Sequence, residues 1–88
     1  MIKFNKYNGS FNVVGSNIKI HRKKNNISQE DLCARLQVLG FQIYRTDISK
    51  IENNSKFVSD FEVLGFAKAL KIPIEKLYAG INLSNEEN

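Results

Sequence analysis

The chain has 88 residues, a formal net charge of +4 and a pI near 9.3. This length supports one domain with a single small core and leaves no room for a catalytic cleft carried on a second layer. The single cysteine, Cys33, excludes an internal disulfide or a thiolate metal cluster. No apolar run reaches the about 20 residues of a membrane span, so we expect a cytoplasmic protein without a membrane partner.

Positive charge is concentrated in the first half of the chain. No acidic residue precedes Glu30, whereas six basic residues do. A basic surface attracts nucleic-acid phosphates in a salt-dependent way, although a net charge of this size alone is common.

Residues 1–13 read as an N-terminal arm ahead of a helical body at 14–80. Apolar residues alternate with polar ones in the arm, and Asn8-Gly9 is typical of a two-residue hairpin turn. A short two-stranded arm and an irregular arm both fit, because an isolated hairpin is marginal in water. Residues 81–88 are expected to form a polar, acidic tail.

The first helix is predicted from about Gly15 to Asn25. Val14, Ile18 and Arg22 recur every four residues and therefore share one face. This spacing places the guanidinium of Arg22 at the edge of the core, where it requires a carboxylate partner.

The second helix has a well-specified start. Ser28 can cap it, Asp31 can bond back to the amide of the cap, and Ile27 can pack on Leu32. We expect this helix to end at Gly40, which can take the left-handed conformation.

The stretch from Tyr44 to Asn54 is the most informative part of the chain. Ile48 and Ile51 fall on one side at helical spacing. The opposite side carries groups that can contact bases or phosphates, namely Arg45, Thr46, Ser49, Lys50 and Asn53. We interpret residues 45–53 as the recognition helix of a helix-turn-helix, and an ordinary amphipathic surface helix is the alternative for this stretch taken alone.

A fourth helix repeats the start signal of the second, with Ser59 as its cap and Glu62 as the partner of the cap. It is predicted to run to about Lys71. Pro73 opens a short fifth helix that ends before Gly80. The residues that the fourth helix is expected to bury are Phe61, Leu64, Leu70 and either Phe66 or Ala67.

Four motifs, taken in order, resemble the DNA-binding domain of the lambda repressor, the Cro proteins and many small bacterial regulators, known as the XRE type. They are Ile18-Lys-Ile-His-Arg22, Ile27-Ser-Gln-Glu-Asp-Leu32, Ile48-Ser-Lys-Ile-Glu52-Asn53 and Phe66-Ala-Lys-Ala-Leu70. The similarity covers about residues 14 to 80. It implies an all-α, compact five-helix lambda-repressor-like domain.

The resemblance also implies a role for each matching residue. Arg22 and Glu52 would form a structural ion pair that joins the first helix to the third. Gln29 and Ser28 would contact DNA phosphates at the start of the second helix. The implied base contacts are Arg45, Thr46 and Lys50, with Tyr44 and Ser49 at the margins, and the implied backbone contacts after the third helix are Asn53 and Lys56.

Two features depart from the pattern of the family. The connection from Leu36 to Ile48 is longer than the usual turn between helices two and three, so residues 38–41 must extend the second helix or form a bulge. A subgroup with a similar turn shares this feature. Tyr44 stands where Ser, Thr or Asp usually caps the third helix, which is expected to weaken the cap.

The predicted function is sequence-specific binding of double-stranded DNA by a transcriptional regulator, most simply a repressor, which binds as a homodimer. Tyr78, Ile81 and Leu83, or the arm, are the expected dimer contacts. The alternative is a protein-interaction module of the same fold, an antitoxin-like or assembly partner, for which Tyr44 is the one aromatic anchor on the third helix. Neither an enzyme nor a cofactor, metal or small-molecule site is expected, because the sequence has no glycine-rich phosphate loop and a single histidine.

Overall fold

A computed structural model describes residues 7–82, in which four α-helices are followed by a short 3-10 helix. None of these helices is both long enough and apolar enough to cross a membrane. The fifth predicted helix is thus a 3-10 helix of five residues, so the all-α prediction holds for the described residues but the count of α-helices is four. The elements are α1 (Gly15–Lys24), α2 (Gln29–Val38), α3 (Arg45–Glu52), α4 (Asp60–Leu70) and the 3-10 helix (Ile74–Tyr78).

Both predicted capping boxes are present. The hydroxyl of Ser28 accepts from the amide of Asp31 at 2.9 Å, and the Asp31 carboxylate accepts from the Ser28 amide at 3.3 Å. Ser59 and Glu62 make the same reciprocal pair at 3.1 and 2.9 Å. These bonds satisfy amides at the helix starts that have no partner within the helix.

Each α-helix is followed within two residues by a residue in the left-handed conformation, as the sequence predicted for Gly40. The φ angles are 58° at Asn26, 95° at Gly40, 61° at Asn54 and 58° at Lys71. In each case the next amide donates to the carbonyl five residues earlier, and at α2 the amide of Phe41 donates to Leu36 at 3.0 Å. This arrangement satisfies carbonyls at the end of the helix and turns the chain sharply.

The long connection between α2 and α3 is a bulge. After the turn at Gly40, residues 41–44 carry no regular secondary structure and lead directly to α3. The ring of Phe41 covers Gly65 of α4, where an added Cβ would lie 2.5 Å from the ring. The extra residues therefore pack on α4 instead of lengthening α2.

The core lies where the four α-helices and the 3-10 helix meet. In α4 the prediction was partly wrong, because Phe61 is 66% exposed and Leu64 is 55% exposed. The buried face of α4 carries Val63, Phe66, Ala67 and Leu70 instead. Phe61 lies against Phe41 at the surface, with their ring centroids 4.8 Å apart. The largest fully buried side chains are Phe66, Ile18, Leu32, Leu36, Ile48, Ile51, Leu77 and Val14.

The predicted turn at Asn8-Gly9 is present, with both residues at positive φ. Tyr7 and Ser10 pair across it through two backbone hydrogen bonds of 3.2 and 2.8 Å. Residues 1–6 of the predicted arm and residues 83–88 of the predicted tail lie outside the described residues.

Candidate nucleic-acid interface

A buried ion pair joins α1 to the end of α3. The Nε of Arg22 donates to Oε2 of Glu52 at 2.6 Å, and its Nη2 donates to Oε1 at 3.0 Å. A third nitrogen donates to the carbonyl of Ile27 at 2.9 Å. The carboxylate partner that the sequence required for Arg22 is therefore Glu52, and the two charges fix α3 against α1.

This pairing keeps the guanidinium charged. The hydrogen bond from Arg22 to Glu52 raises the pKa of Arg22 above its already high ordinary value, whereas burial opposes the rise. Since an arginine does not lose its proton in the ordinary pH range, this side of the pair is insensitive to pH there.

Gln29, the first residue of α2, extends the ion pair toward the surface. Its Nε2 donates to Oε1 of Glu52 at 3.0 Å. Its Oε1 accepts from Nη1 of Arg45, the first residue of α3, at 3.2 Å. The starts of α2 and α3 are thus joined through one half-buried amide side chain.

Arg45 is exposed but restrained on two sides. In addition to its bond to Gln29, its Nε lies 3.7 Å from Oε2 of Glu30. The side chains of Arg45 and Glu30 are 53% and 72% exposed. An ion pair this exposed contributes little to stability, so its main effect is to orient the guanidinium over the first turn of α3.

The outward face of α3 is polar and accessible. Thr46 and Lys50 are exposed and Ser49 is half-buried, while Ile48 and Ile51 beneath them are 0% and 1% exposed. A helix whose inner side is fixed in this way presents its outer side chains in defined directions, which recognition of base edges requires.

The start of α3 is capped from an unexpected position. The side chain of Tyr44 makes no capping hydrogen bond, and Tyr44 is 63% exposed. Asp47 instead accepts from the Tyr44 amide at 3.0 Å. The negative charge of Asp47 also suits a helix N-terminus, so the helix begins at Arg45 without a side-chain cap from Tyr44.

The remaining predicted phosphate contacts lie on either side of α3. Ser28 is exposed and its hydroxyl already accepts the α2 capping bond. Asn53 and Lys56 are exposed just after α3. A hydrogen bond and an ion pair bring Gln29 and Glu30 to Arg45. Within residues 7–82, no hydrogen bond joins the other predicted contact side chains to one another, namely Tyr44, Thr46, Ser49, Lys50, Asn53 and Lys56.

One comparison with known proteins identifies the type of domain. No protein-family model matches the chain, and no curated protein matches it. Among solved structures, the restriction-modification controller protein C.AhdI from Aeromonas hydrophila superimposes with a TM-score of 0.64 at 25% sequence identity, covering 73% of this chain and 89% of that one. The chain contains an XRE-like helix-turn-helix domain.

Asn12, for which the sequence predicted no role, helps to hold this XRE-like domain together. The Nδ2 of Asn12 donates to the carbonyls of Ile51 at 3.1 Å and Lys56 at 2.8 Å, on both sides of the turn after α3. Its Oδ1 accepts from the amide of Gly15 at 2.7 Å. Asn12 lies three residues before Gly15, the predicted start of α1, and an asparagine at this spacing is a capping signal. This signal could have indicated the bond from the Gly15 amide.

Close backbone contact between α1 and α3 depends on Gly15. A Cβ at this position would lie 1.8 Å from the carbonyl oxygen of Ile51. The missing side chain lets the start of α1 lie directly on the end of α3, which fixes the position of α3 on the domain.

Proposed function

We propose that the chain is a transcriptional regulator, acting as a repressor, that binds double-stranded DNA in a sequence-specific way. The observation that supports this most directly is the polar outer face of α3, with exposed Arg45, Thr46 and Lys50 over a completely buried isoleucine seam. Similarity to a restriction-modification controller protein agrees with a regulatory role.

In the proposed complex, α3 lies in the major groove. Arg45 donates two hydrogen bonds to the O6 and N7 acceptors of a guanine, and Lys50 donates to acceptors of the same kind. Thr46 offers its methyl group to a thymine or its hydroxyl to a base. Tyr44 and Ser49 contact the margins of this footprint.

The phosphate contacts orient the domain on the duplex. Gln29 and Ser28 lie at the start of α2, and their amide and hydroxyl groups can donate to phosphate oxygens. Asn53 and Lys56, which follow α3 in the chain, contact the phosphate backbone of the DNA. Lys56 adds to the salt-dependent, sequence-independent part of the binding free energy.

The domain is proposed to bind as a homodimer, because helix-turn-helix modules read two half-sites about one helical turn apart. Tyr78, which is 43% exposed, and half-buried Ile81 remain candidate dimer contacts. The third candidate, Leu83, lies outside the described residues.

A protein-interaction module of the same fold remains the second candidate function. One observation favours it, namely that Tyr44 is 63% exposed at the start of α3, where an aromatic anchor could enter a partner. Such a module would bind its partner through α3 and would show no preference among duplexes.

The test is selection of bound duplexes from a random pool at about 150 mM salt, followed by sequencing. Regulation by DNA binding predicts enrichment of a short motif with two-fold symmetry. Weak binding that disappears with salt and enriches no motif would contradict the proposal and favour the protein-interaction module.

A further inference from the structure

A shallow groove runs along α4 beside the C-terminal end of α2; we call it the α2–α4 groove. It has two parts of about 430 and 290 Å³. Leu39 and Lys68 line both parts, so they form one continuous depression. The groove has an apolar end and a basic end, and none of the predicted DNA contacts lines it.

The apolar end exposes large side chains that a folded domain ordinarily covers. Phe61 is 66% exposed and Leu64 is 55% exposed along its wall, with Phe41 between them and α2. Val38, at the end of α2, lines the other part of the groove and is 87% exposed. A contiguous apolar surface of this kind marks an interaction site more often than isolated exposed residues do.

The basic end carries three cations around an aliphatic floor. Arg35, Lys68 and Lys71 surround Val38 and Leu39 there. Within residues 7–82, no carboxylate forms a salt bridge with any of these three side chains. One nitrogen of Arg35 donates to the carbonyl of Ala69 at 3.0 Å, which holds the guanidinium at the edge of the groove.

We propose that the α2–α4 groove binds an acidic amphipathic segment of a partner protein. Apolar side chains of the segment pack on Phe61 and Leu64, and its carboxylates meet Lys68 and Lys71 at the other end. This is helix-in-groove recognition, in which buried apolar anchors supply affinity and complementary charges set the direction of binding.

Charge and apolarity together select this occupant over others. A second copy of the chain that packed groove to groove would place the same three cations opposite one another, and like charges in this arrangement disfavour binding. A nucleic acid would pair with the cations but would leave Phe61 and Val38 uncovered by apolar groups. A protein segment with both carboxylates and apolar side chains satisfies both ends.

The groove can be occupied while α3 is bound to DNA. The main packing partners of α3 are α1 and α2, whereas those of α4 are α1, α2 and the 3-10 helix. Since α3 is not a main packing partner of α4 and none of the predicted DNA contacts lines the groove, a segment in the groove leaves the outward face of α3 accessible.

The probe is a fluorescein-labelled synthetic peptide of about 18 residues, with Leu and Phe at helical spacing in its first half and Glu in its second half. Binding to the full chain is measured by fluorescence anisotropy and mapped by amide chemical shifts. The variant K68E/K71E is expected to bind about tenfold more weakly. A matched control, K24E/K76E, changes the same charge at exposed lysines outside the groove and should bind like the parent.

A second peptide, with Lys in place of every Glu, should bind K68E/K71E more tightly than the parent. Support therefore consists of this reversal together with shifts confined to residues that line both parts of the groove, from Phe61 and Leu64 to Val38 and Lys71. Equal weakening by both double variants, or shifts spread over α1, would overturn the proposal in favour of general charge attraction. Self-association that the peptide does not compete with would overturn the proposal in favour of a second copy of the chain. Tighter peptide binding after deletion of residues 83–88 would overturn it in favour of the chain's own tail as the occupant.

Duplex selection with K68E/K71E keeps this proposal separate from the proposed function. Retained enrichment of the parental motif together with lost peptide binding supports two independent surfaces. Peptide binding without any duplex selectivity in the parent would support the groove while contradicting DNA recognition.

Discussion

Gln29 and Arg22 donate hydrogen bonds to the same oxygen of Glu52, Oε1, each at 3.0 Å. Through the other end of its amide, Gln29 also accepts from Arg45. The side chain proposed to read a base is therefore connected to the ion pair that joins α1 and α3. Damage to the ion pair is expected to affect both folding and the position of Arg45.

Replacement of Glu52 by alanine should lower the free energy of unfolding by about 3 kcal/mol or more, because Arg22 would remain buried without a partner charge. Urea unfolding followed by circular dichroism measures the change. The control is Glu30→Ala, which breaks only an exposed pair and should cost less than about 1 kcal/mol. If Glu52→Ala unfolded at the same urea concentration as the parent, the ion pair would not have the structural role assigned to it.

Replacement of Asn12 by alanine should destabilise the domain by about 1–3 kcal/mol, because the carbonyl of Ile51 and the amide of Gly15 each lose a part-buried partner. Asn25→Ala is the matched control, since its Nδ2 bonds only to an exposed carbonyl of its own helix, that of His21. Thermal unfolding compares the two variants. Equal melting temperatures would show that the Asn12 bonds add no net stability.

Gly15→Ala should destabilise the domain by at least about 2 kcal/mol, although alanine is the better helix former. The reason is the Ile51 carbonyl oxygen, which would lie 1.8 Å from the new Cβ and belongs to backbone that cannot rotate away. Ser16→Ala, at the next and exposed position, should change stability much less. A more stable Gly15→Ala variant would contradict the close packing of α1 on α3.

Lys56→Ala should weaken binding to every duplex by a similar factor, since a phosphate contact carries no direct sequence information. The slope of the logarithm of affinity against the logarithm of salt concentration should fall in magnitude by about 1. Anisotropy titrations at several salt concentrations measure both quantities. An unchanged slope would remove Lys56 from the proposed backbone contacts.

Local rules predicted most of the fold. The capping residues Ser28 and Ser59 gave the starts of α2 and α4, and the four-residue spacing through Arg22 identified the buried face of α1. The unpaired arginine itself required a carboxylate, and the family resemblance indicated Glu52. These features could be predicted because each depends on neighbours within a few positions, or on a charge that must be compensated.

Contacts between distant segments were not predictable in this way. Asn12 donates hydrogen bonds to Ile51 and Lys56, which lie 39 and 44 residues further along the chain. No local pattern encodes these contacts. The burial of α4 was misjudged because the bulge after α2 covers Gly65 with Phe41 and leaves Phe61 at the surface. Only the assembled tertiary structure determines which of two possible helix faces is covered.

The most direct test of the account compares the base preferences of the parent and of Arg45→Ala, each selected against the same random duplex pool at about 150 mM salt. The account predicts that Arg45→Ala loses about 1–3 kcal/mol on the parental motif and becomes indifferent at one guanine position in each half-site, while its other preferences persist. Identical base preferences for the two proteins, with the guanine retained, would contradict the assignment of Arg45 on α3 as a base-reading residue.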